Sequence, residues 1–144
     1  MEHVFRHAPA VIVGAFFLFI GAQKFGAENV IFQTIADRSG LAFFEPQIRV
    51  MVGVAEIAAG AAILTPAARL LGLAIGGAVL LGAIGFHLSP WLGVVVAAAP
   101  GEEATPALFV VAVLMTTLTG LVAWLERARI STLLKAIKPR RAAA

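Results

Sequence analysis

The stretch that decides the fold is residues 50–64, which read VMVGVAEIAAGAAIL. Every residue in it is apolar except Glu56. A charged side chain near the centre of a bilayer costs about 2.5–3.5 kcal/mol on insertion scales, so it is seldom found there without a partner, a cavity or a function. Any account of this chain must therefore explain Glu56.

Composition extends this conclusion to the whole chain. Of its 144 residues, 60% are hydrophobic and only 13% are charged. A soluble domain of this length has too little interior to bury so many apolar side chains. We therefore predict an all-α integral membrane protein with a single membrane domain over residues 1–144. The chain has no cysteine, which excludes disulfides, thiolate metal ligands and thioether-attached haem on this chain.

Four segments are long and apolar enough for membrane spans, because about 20 helical residues cross the hydrocarbon core. The predicted four-transmembrane-helix bundle has its spans at about residues 9–25, 48–64, 69–88 and 106–125. Pro9 and Pro106 lie near predicted helix starts, where a missing amide proton costs little, so we expect them to mark boundaries. The first segment could also be read as a signal peptide, but it lacks a small-residue cleavage site before a soluble domain, and we expect a retained helix.

Basic residues predict the orientation of the spans. Six of the 11 Lys and Arg residues follow Trp124, whereas residues 89–105 contain none. By the positive-inside rule both termini are cytoplasmic, and we expect the bacterial inner membrane. The connections 26–46 and 89–105 then face outward.

Three further segments are predicted to lie at the membrane surfaces. Residues 26–46 are expected to form a short outer helix with aromatic anchors, and the apolar run Trp91–Ala99 is expected to line the interface or cap the bundle. Residues 126–138 form a basic amphipathic pattern that suits the anionic headgroups of the lipid bilayer. No aromatic stacking residues accompany these charges, so we expect no nucleic-acid partner.

Glycine spacing predicts which helix faces pack together, since small residues permit close helix approach in lipid. Pairs of glycines mark one face of each of the first three spans: Gly14 and Gly21, Gly53 and Gly60, Gly72 and Gly76. Such faces also make homo-oligomers plausible.

The same faces carry the polar residues that we predict to form a site. Lys24 and His87 lie at the outer ends of the first and third spans, and Glu56 lies about 12 Å below Ile48 at 1.5 Å per residue. We expect Gln23, Lys24, Glu56 and His87 to line a polar pocket that opens outward. A structural role in helix packing is the alternative for Glu56. No catalytic constellation is visible, and the three histidines are too dispersed for a metal site within one protomer.

These residues carry a resemblance to a known family. A first helix ending in Gly21-Ala-Gln-Lys24-Phe, the motif Gly53-Val-Ala-Glu56-Ile-Ala-Ala-Gly60 and a third helix ending at His87 resemble the DoxX family of small four-helix membrane proteins. The resemblance covers about residues 11–124. It implies a four-helix bundle associated with membrane redox systems, since a relative is part of a thiosulfate:quinone oxidoreductase.

Three classes of function follow. The resemblance favours an accessory or quinone-associated subunit of a membrane oxidoreductase complex, with the polar pocket around Glu56 contacting a quinone or lipid that is not covalently bound. The first alternative is a small proton-coupled transporter that uses Glu56 as its membrane carboxylate. The second is a lipid-binding structural membrane protein without chemistry of its own.

Overall fold

The computed structural model describes residues 2–27 and 29–137, and these residues form helices and no strands. The six α-helices are α1 (Glu2–Gln23), α2 (Val30–Ser39), α3 (Gln47–Leu64), α4 (Arg69–His87), α5 (Ala107–Leu125) and α6 (Arg127–Ile137). A 3₁₀ turn at Ala42–Phe44 precedes α3. The all-α prediction is confirmed. The last residue of the predicted basic segment 126–138, and the basic residues after it, lie outside the described residues.

Three of the helical segments are long and apolar enough to cross a membrane, as counted over the described residues. They are Ala42–Leu64, which joins the 3₁₀ turn to α3, then Arg69–His87 and Ala107–Leu125. The apolar part of α1, His7–Gln23, is shorter. Helical segments of this kind satisfy all their backbone hydrogen bonds internally, which is what a hydrocarbon environment requires. The chain thus has the helices of a membrane protein.

Helix α1 corrects one expectation about its boundaries. We predicted that Pro9 marks the start of the first helix, but α1 begins at Glu2 and continues through Pro9. Proline holds φ near the helical value, but inside a helix it loses its hydrogen bond to the carbonyl four residues earlier and its ring crowds that carbonyl, so helices often kink or end there. Here α1 nevertheless continues through Pro9. The helix ends at Gln23, and Lys24 lies in the turn that follows.

Capping residues determine both ends of the short helix α2. The Asn29 side chain accepts hydrogen bonds from the backbone N–H groups of Ile31 and Phe32 at 3.1 and 3.4 Å, and Gly40 ends the helix with a φ of 73°. Ile35 of α2 packs in a small second core against the loop after α4, which contributes buried Leu92 and Val96. The apolar run Trp91–Ala99 therefore helps to cap one end of the bundle.

The main core lies between α1, α3, α4 and α5. Its buried side chains are Ala10, Val13 and Phe17 of α1, Ala59 and Ile63 of α3, Leu73 and Leu80 of α4, and Val122 of α5. Phe17 is fully buried, and its ring occupies the space above Gly76, where an added Cβ would lie 2.6 Å from the ring. The predicted packing face of α4 is thereby confirmed at Gly76.

Helices α1 and α3 approach most closely at two reciprocal glycine pairs. A Cβ on Gly60 would lie 2.7 Å from the carbonyl oxygen of Gly14, and one on Gly14 would lie 3.2 Å from that of Gly60. A Cβ on Gly21 would lie 3.0 Å from the carbonyl oxygen of Gly53, and the reverse distance is 3.2 Å. No larger residue fits these positions without separating the helices, so the glycine faces predicted from spacing are real contacts.

The glycine contacts predict opposite outcomes for two Gly→Ala substitutions. In a helix interior, alanine is more favourable than glycine by about 1 kcal/mol. At Gly77 a Cβ would meet nothing within 4 Å, so the substitution should gain this stability without a steric cost. At Gly60 the new methyl group collides with the Gly14 carbonyl, and overpacking costs about 1–3 kcal/mol. In thermal unfolding of the detergent-solubilised protein, Gly60→Ala should lower the midpoint and Gly77→Ala should keep or raise it. Equal midpoints would contradict this packing.

Candidate functional site

A cavity of about 410 Å³ lies between α2, α3 and α4, next to the turn after α1. Its polar lining consists of Lys24, Glu56 and His87, the members of the predicted site that the structure brings together. The remaining lining is apolar: Ile31, Phe32, Ile35, Ile48, Val52, Ala78, Val79, Gly82, Ala83, Phe86 and Leu92. A volume of this size with few polar groups in apolar walls is typical of small-molecule sites.

Glu56 and Lys24 face each other across a gap. The Lys24 Nζ atom lies 3.8 Å from Oε2 of Glu56, which is longer than a hydrogen bond. Both side chains are largely removed from solvent, with exposed fractions of 17% for Lys24 and 5% for Glu56. Within the described residues, Oε2 of Glu56 is a buried atom with no hydrogen-bond partner. A buried oxygen in this state retains the capacity to accept a hydrogen bond from a ligand.

The glycine contacts between α1 and α3 create this juxtaposition. A Cβ on Gly53 would lie 2.7 Å from Cβ of Lys24, and a Cβ on Gly21 would lie 3.0 Å from Cβ of Glu56. Each glycine thus leaves room for the charged side chain of the opposite helix. The close approach that packs the helices also brings the ammonium group to the carboxylate.

Arg49 fixes the backbone that carries Lys24. Its Nε donates to both oxygens of Glu45 at 2.7 and 2.9 Å, and its Nη1 donates to the carbonyl oxygens of Lys24 and, at 2.8 Å, Gly26. Arg49 is only 3% exposed, so these contacts satisfy a buried guanidinium. The sequence analysis did not single out Arg49. The signal that could have found it is the i, i+4 spacing of Glu45 and Arg49 at a helix start.

His87 joins the end of α4 to the loop that closes the cavity. Its Nδ1 lies 2.8 Å from the carbonyl oxygen of Gly93, which can only accept, so Nδ1 is the donor. Arg38 donates from Nη1 to the neighbouring carbonyl of Leu92 at 3.0 Å. These two bonds hold Leu92 in the cavity wall. His87 therefore has a structural role at the cavity in addition to its place in the lining.

One other sequence expectation, the place of Gln23, has a clear outcome. Gln23, which we predicted to share the pocket, is exposed and is not among the residues that line the cavity. Gln23 is the last residue of α1 and Lys24 is the first residue of the turn that follows, and the two consecutive side chains point in different directions. The hydroxyls of Thr116, Thr117 and Thr119 donate to carbonyls four residues earlier on α5, so they are satisfied within their own helix.

The opposite end of the bundle holds a second buried polar cluster that sequence reasoning missed. Arg69 at the start of α4 donates from Nη1 to Oε1 of Glu126 at 2.8 Å and from Nε to the carbonyl of Ile63 at 3.0 Å. His7 lies 3.3 Å from the same Nη1. Arg129 of α6 reaches Oε2 of Glu126 at 3.3 Å. The available signal was a lone acid directly after the apolar run of α5, followed at once by Arg127 and Arg129.

The charges around Glu126 determine its protonation. Burial alone would raise its pKa, but the hydrogen bonds and charges of Arg69 and Arg129 outweigh that effect and lower the pKa below the ordinary value of 4.5. Glu126 is therefore ionised at neutral pH. The cluster ties α4, α5 and α6 together and leaves the Glu56 cavity at the other end of the bundle.

The cavity offers a cationic donor and a carboxylate acceptor inside apolar walls. This arrangement can hold a polar head that both donates and accepts hydrogen bonds, with an apolar body in contact with α3 and α4. Among the described residues, no three His, Cys, Asp or Glu side chains converge in a way that could hold a metal ion. Comparison of the chain with protein-family models, curated proteins and solved structures finds no significant match.

The Glu126 cluster predicts a pH-dependent stability. A carboxyl group with a lowered folded-state pKa contributes stability that is present above its unfolded value and is lost as the pH falls through the folded value. At pH 7, Glu126→Gln should lower the free energy of unfolding by about 3 kcal/mol, because Arg69 stays buried without its carboxylate. The difference between wild type and variant should shrink as the pH falls below 4.5.

Unfolding midpoints measured across pH test this expectation. Glu102→Gln, which neutralises an exposed acid of the loop after α4, is the control and should change little. If the difference in unfolding midpoint between wild type and Glu126→Gln stays constant down to strongly acidic pH, the lowered pKa of Glu126 is refuted.

Proposed function

We propose that this protein is a DoxX-like membrane protein of the bacterial inner membrane whose cavity binds the head of a quinone, and that it serves a membrane redox assembly as an accessory subunit. The single observation that carries the proposal is the Glu56 site: a buried carboxylate oxygen without a hydrogen-bond partner, 3.8 Å from an ammonium group, in an apolar cavity of about 410 Å³.

The proposal includes a four-transmembrane-helix bundle with cytoplasmic termini. It takes α1 as the fourth span beside the three long apolar helices, because the apolar part of α1 packs in the same core. The cluster of basic residues in and after α6 supports a cytoplasmic α6, and their absence from residues 89–105 supports an outer location for that loop. The Glu56 cavity, which adjoins this loop through Leu92, then lies in the outer half.

The residues present fit a quinone head. Lys24 would donate to one oxygen of the ring, and Glu56 would accept from a hydroxyl of the reduced form. The apolar lining of α3 and α4 would contact the ring faces and the isoprenoid tail. When bound, a quinone supplies two-electron redox chemistry, while Glu56 would hold the proton at its carboxylate and the apolar walls would exclude water.

A proton-coupled transporter is the second candidate. It is favoured by the position of Glu56 within the apolar α3, since one membrane carboxylate facing the bundle interior is a recurrent proton carrier. The two candidates differ in what Glu56 serves. A transporter requires substrate flux that is driven by a proton gradient, whereas a quinone site requires only binding and a partner that exchanges electrons.

Quinone titration of two matched variants tests the proposal. We expect the purified wild-type protein to bind ubiquinol-1 and Glu56→Gln to bind it about tenfold more weakly, because a hydrogen bond to a charged group contributes about 1.5–3 kcal/mol. Glu103→Gln, the same change at an exposed acid outside the cavity, should bind like wild type. The readout is the dissociation constant in mild detergent, with stoichiometric recovery of an oxidoreductase from native membranes as the test of the partner.

Two results would overturn the quinone proposal. One is equal affinity of wild type and Glu56→Gln for ubiquinol-1. The other is proton-driven flux in proteoliposomes that Glu56→Gln abolishes while no quinone binds, which would establish the transporter instead.

A further inference from the structure

Two further hollows lie at the other end of the bundle, where α6 packs against α4 and α5. The first, of about 570 Å³, is lined by Arg129 and Thr132 together with apolar side chains. The second, of about 390 Å³, is lined only by apolar residues, among them Leu73, Ala74 and Ala123. Leu70 and Leu133 line both, so the two hollows adjoin. We name them the head cleft and the chain cleft.

The head cleft is electropositive because of the ion-pair cluster beside it. Arg69 and Arg129 share the single carboxylate of Glu126, one on each oxygen. Helix α6 adds Arg127 and Lys135 and has no acidic residue along its length. Two guanidinium groups on one carboxylate leave a positive charge, which favours an anion at the cleft.

Two contacts fix the guanidinium group of Arg129 at the head cleft. Its Nη1 donates to the carbonyl oxygen of Pro66 at 2.8 Å and to Glu126, while the side chain is 43% exposed. The planar group is therefore fixed in place by one nitrogen, and its position at the cleft presents the other donors of the guanidinium to a ligand. A fixed guanidinium fork matches the geometry of a phosphate group.

The two clefts lie at different depths along α4. Leu71 of α4 lines the head cleft, and Ala74, which lines the chain cleft, is three residues further along the helix. At 1.5 Å per residue, Ala74 lies about 4.5 Å deeper in the apolar part of the bundle. A positively charged, shallow cleft that continues into a deeper apolar one has the shape and polarity of an anionic lipid.

We infer that the head and chain clefts form a binding site for one anionic phospholipid, with its phosphate on Arg129 and an acyl chain along Leu73, Ala74 and Ala123. A free phosphate ion would leave the chain cleft unused, so the occupant is a lipid. The inference depends on membrane insertion of α4 and α5 and is independent of the Glu56 cavity. Its failure would therefore leave the proposed quinone site untouched.

Native mass spectrometry of the full-length protein tests the site. The protein in detergent is offered equimolar phosphatidylglycerol and phosphatidylcholine with identical acyl chains. Wild type should retain phosphatidylglycerol preferentially, and Arg129→Gln should weaken that binding about tenfold, equivalent to about 1.4 kcal/mol. Lys135→Gln removes the same charge from α6 outside both clefts and should change the affinity less than about twofold. Equal losses in the two variants would reduce the site to general charge attraction and overturn it.

A second pair of variants tests the chain cleft without touching an ion pair. Arg129→Gln also removes the contact with Pro66, so it can release α6, whereas Ala74→Phe leaves Arg129 in place and fills the chain cleft. We expect Ala74→Phe to weaken phosphatidylglycerol binding about tenfold, while Leu81→Phe, on the exposed surface of α4 outside both clefts, leaves it unchanged. Wild-type affinity of Ala74→Phe would overturn the inference, whatever the result for Arg129→Gln.

Discussion

The close approach of α1 and α3 is the constraint on which the rest of the structure depends. In lipid, helices gain little from hydrophobic attraction, so van der Waals contact between small residues holds them together. Gly14 with Gly60 and Gly21 with Gly53 bring backbone to backbone along this contact. The pair Gly21 and Gly53 also makes room for the side chains of Lys24 and Glu56. The helix packing and the candidate site therefore have one physical cause. A wider helix separation would remove the 3.8 Å approach of ammonium and carboxylate.

The buried charges of the described bundle are of two kinds, those whose hydrogen bonds are satisfied and one pair whose hydrogen bonds are not. At one end, Arg49 is fully engaged by Glu45 and backbone carbonyls, and at the other end Arg69 is engaged by Glu126 and the carbonyl of Ile63. Burial of these guanidinium groups is offset by their hydrogen bonds. The Lys24 and Glu56 pair is different, because its atoms lie beyond hydrogen-bond distance and one carboxylate oxygen is unsatisfied. Unmet hydrogen-bonding capacity inside an apolar cavity supports the proposed binding site, because the buried polar atoms of a structural ion pair are normally satisfied.

Sequence alone predicts much of this fold and part of the site. The helix bounds of α3, α4 and α5 follow from apolar length, and the packing faces of α1 and α3 follow from glycine spacing, because both depend on local periodicity. Glu56 can be identified from sequence because a charged residue within an apolar run is costly to bury and therefore indicates a partner or a function. The Arg69–Glu126 pair and the role of Arg49 could not be found in this way, since they depend on which helix ends meet in space. Gln23 shows that sequence can also predict a site residue wrongly. Its neighbour Lys24 lines the cavity, while Gln23 is exposed outside it.

Photoaffinity labelling in native membranes tests the central claim most directly. A photoreactive azido-quinone is activated by light, and the modified residues are mapped by peptide mass spectrometry. The account predicts labels on the cavity walls of α3 and α4, around Val52, Val79 and Gly82, and competition by unlabelled quinone. Labels confined to the exposed apolar surface of α5, around Leu114 and Leu121, with no competition would contradict it, because they would mean that the quinone meets the protein only from the surrounding lipid.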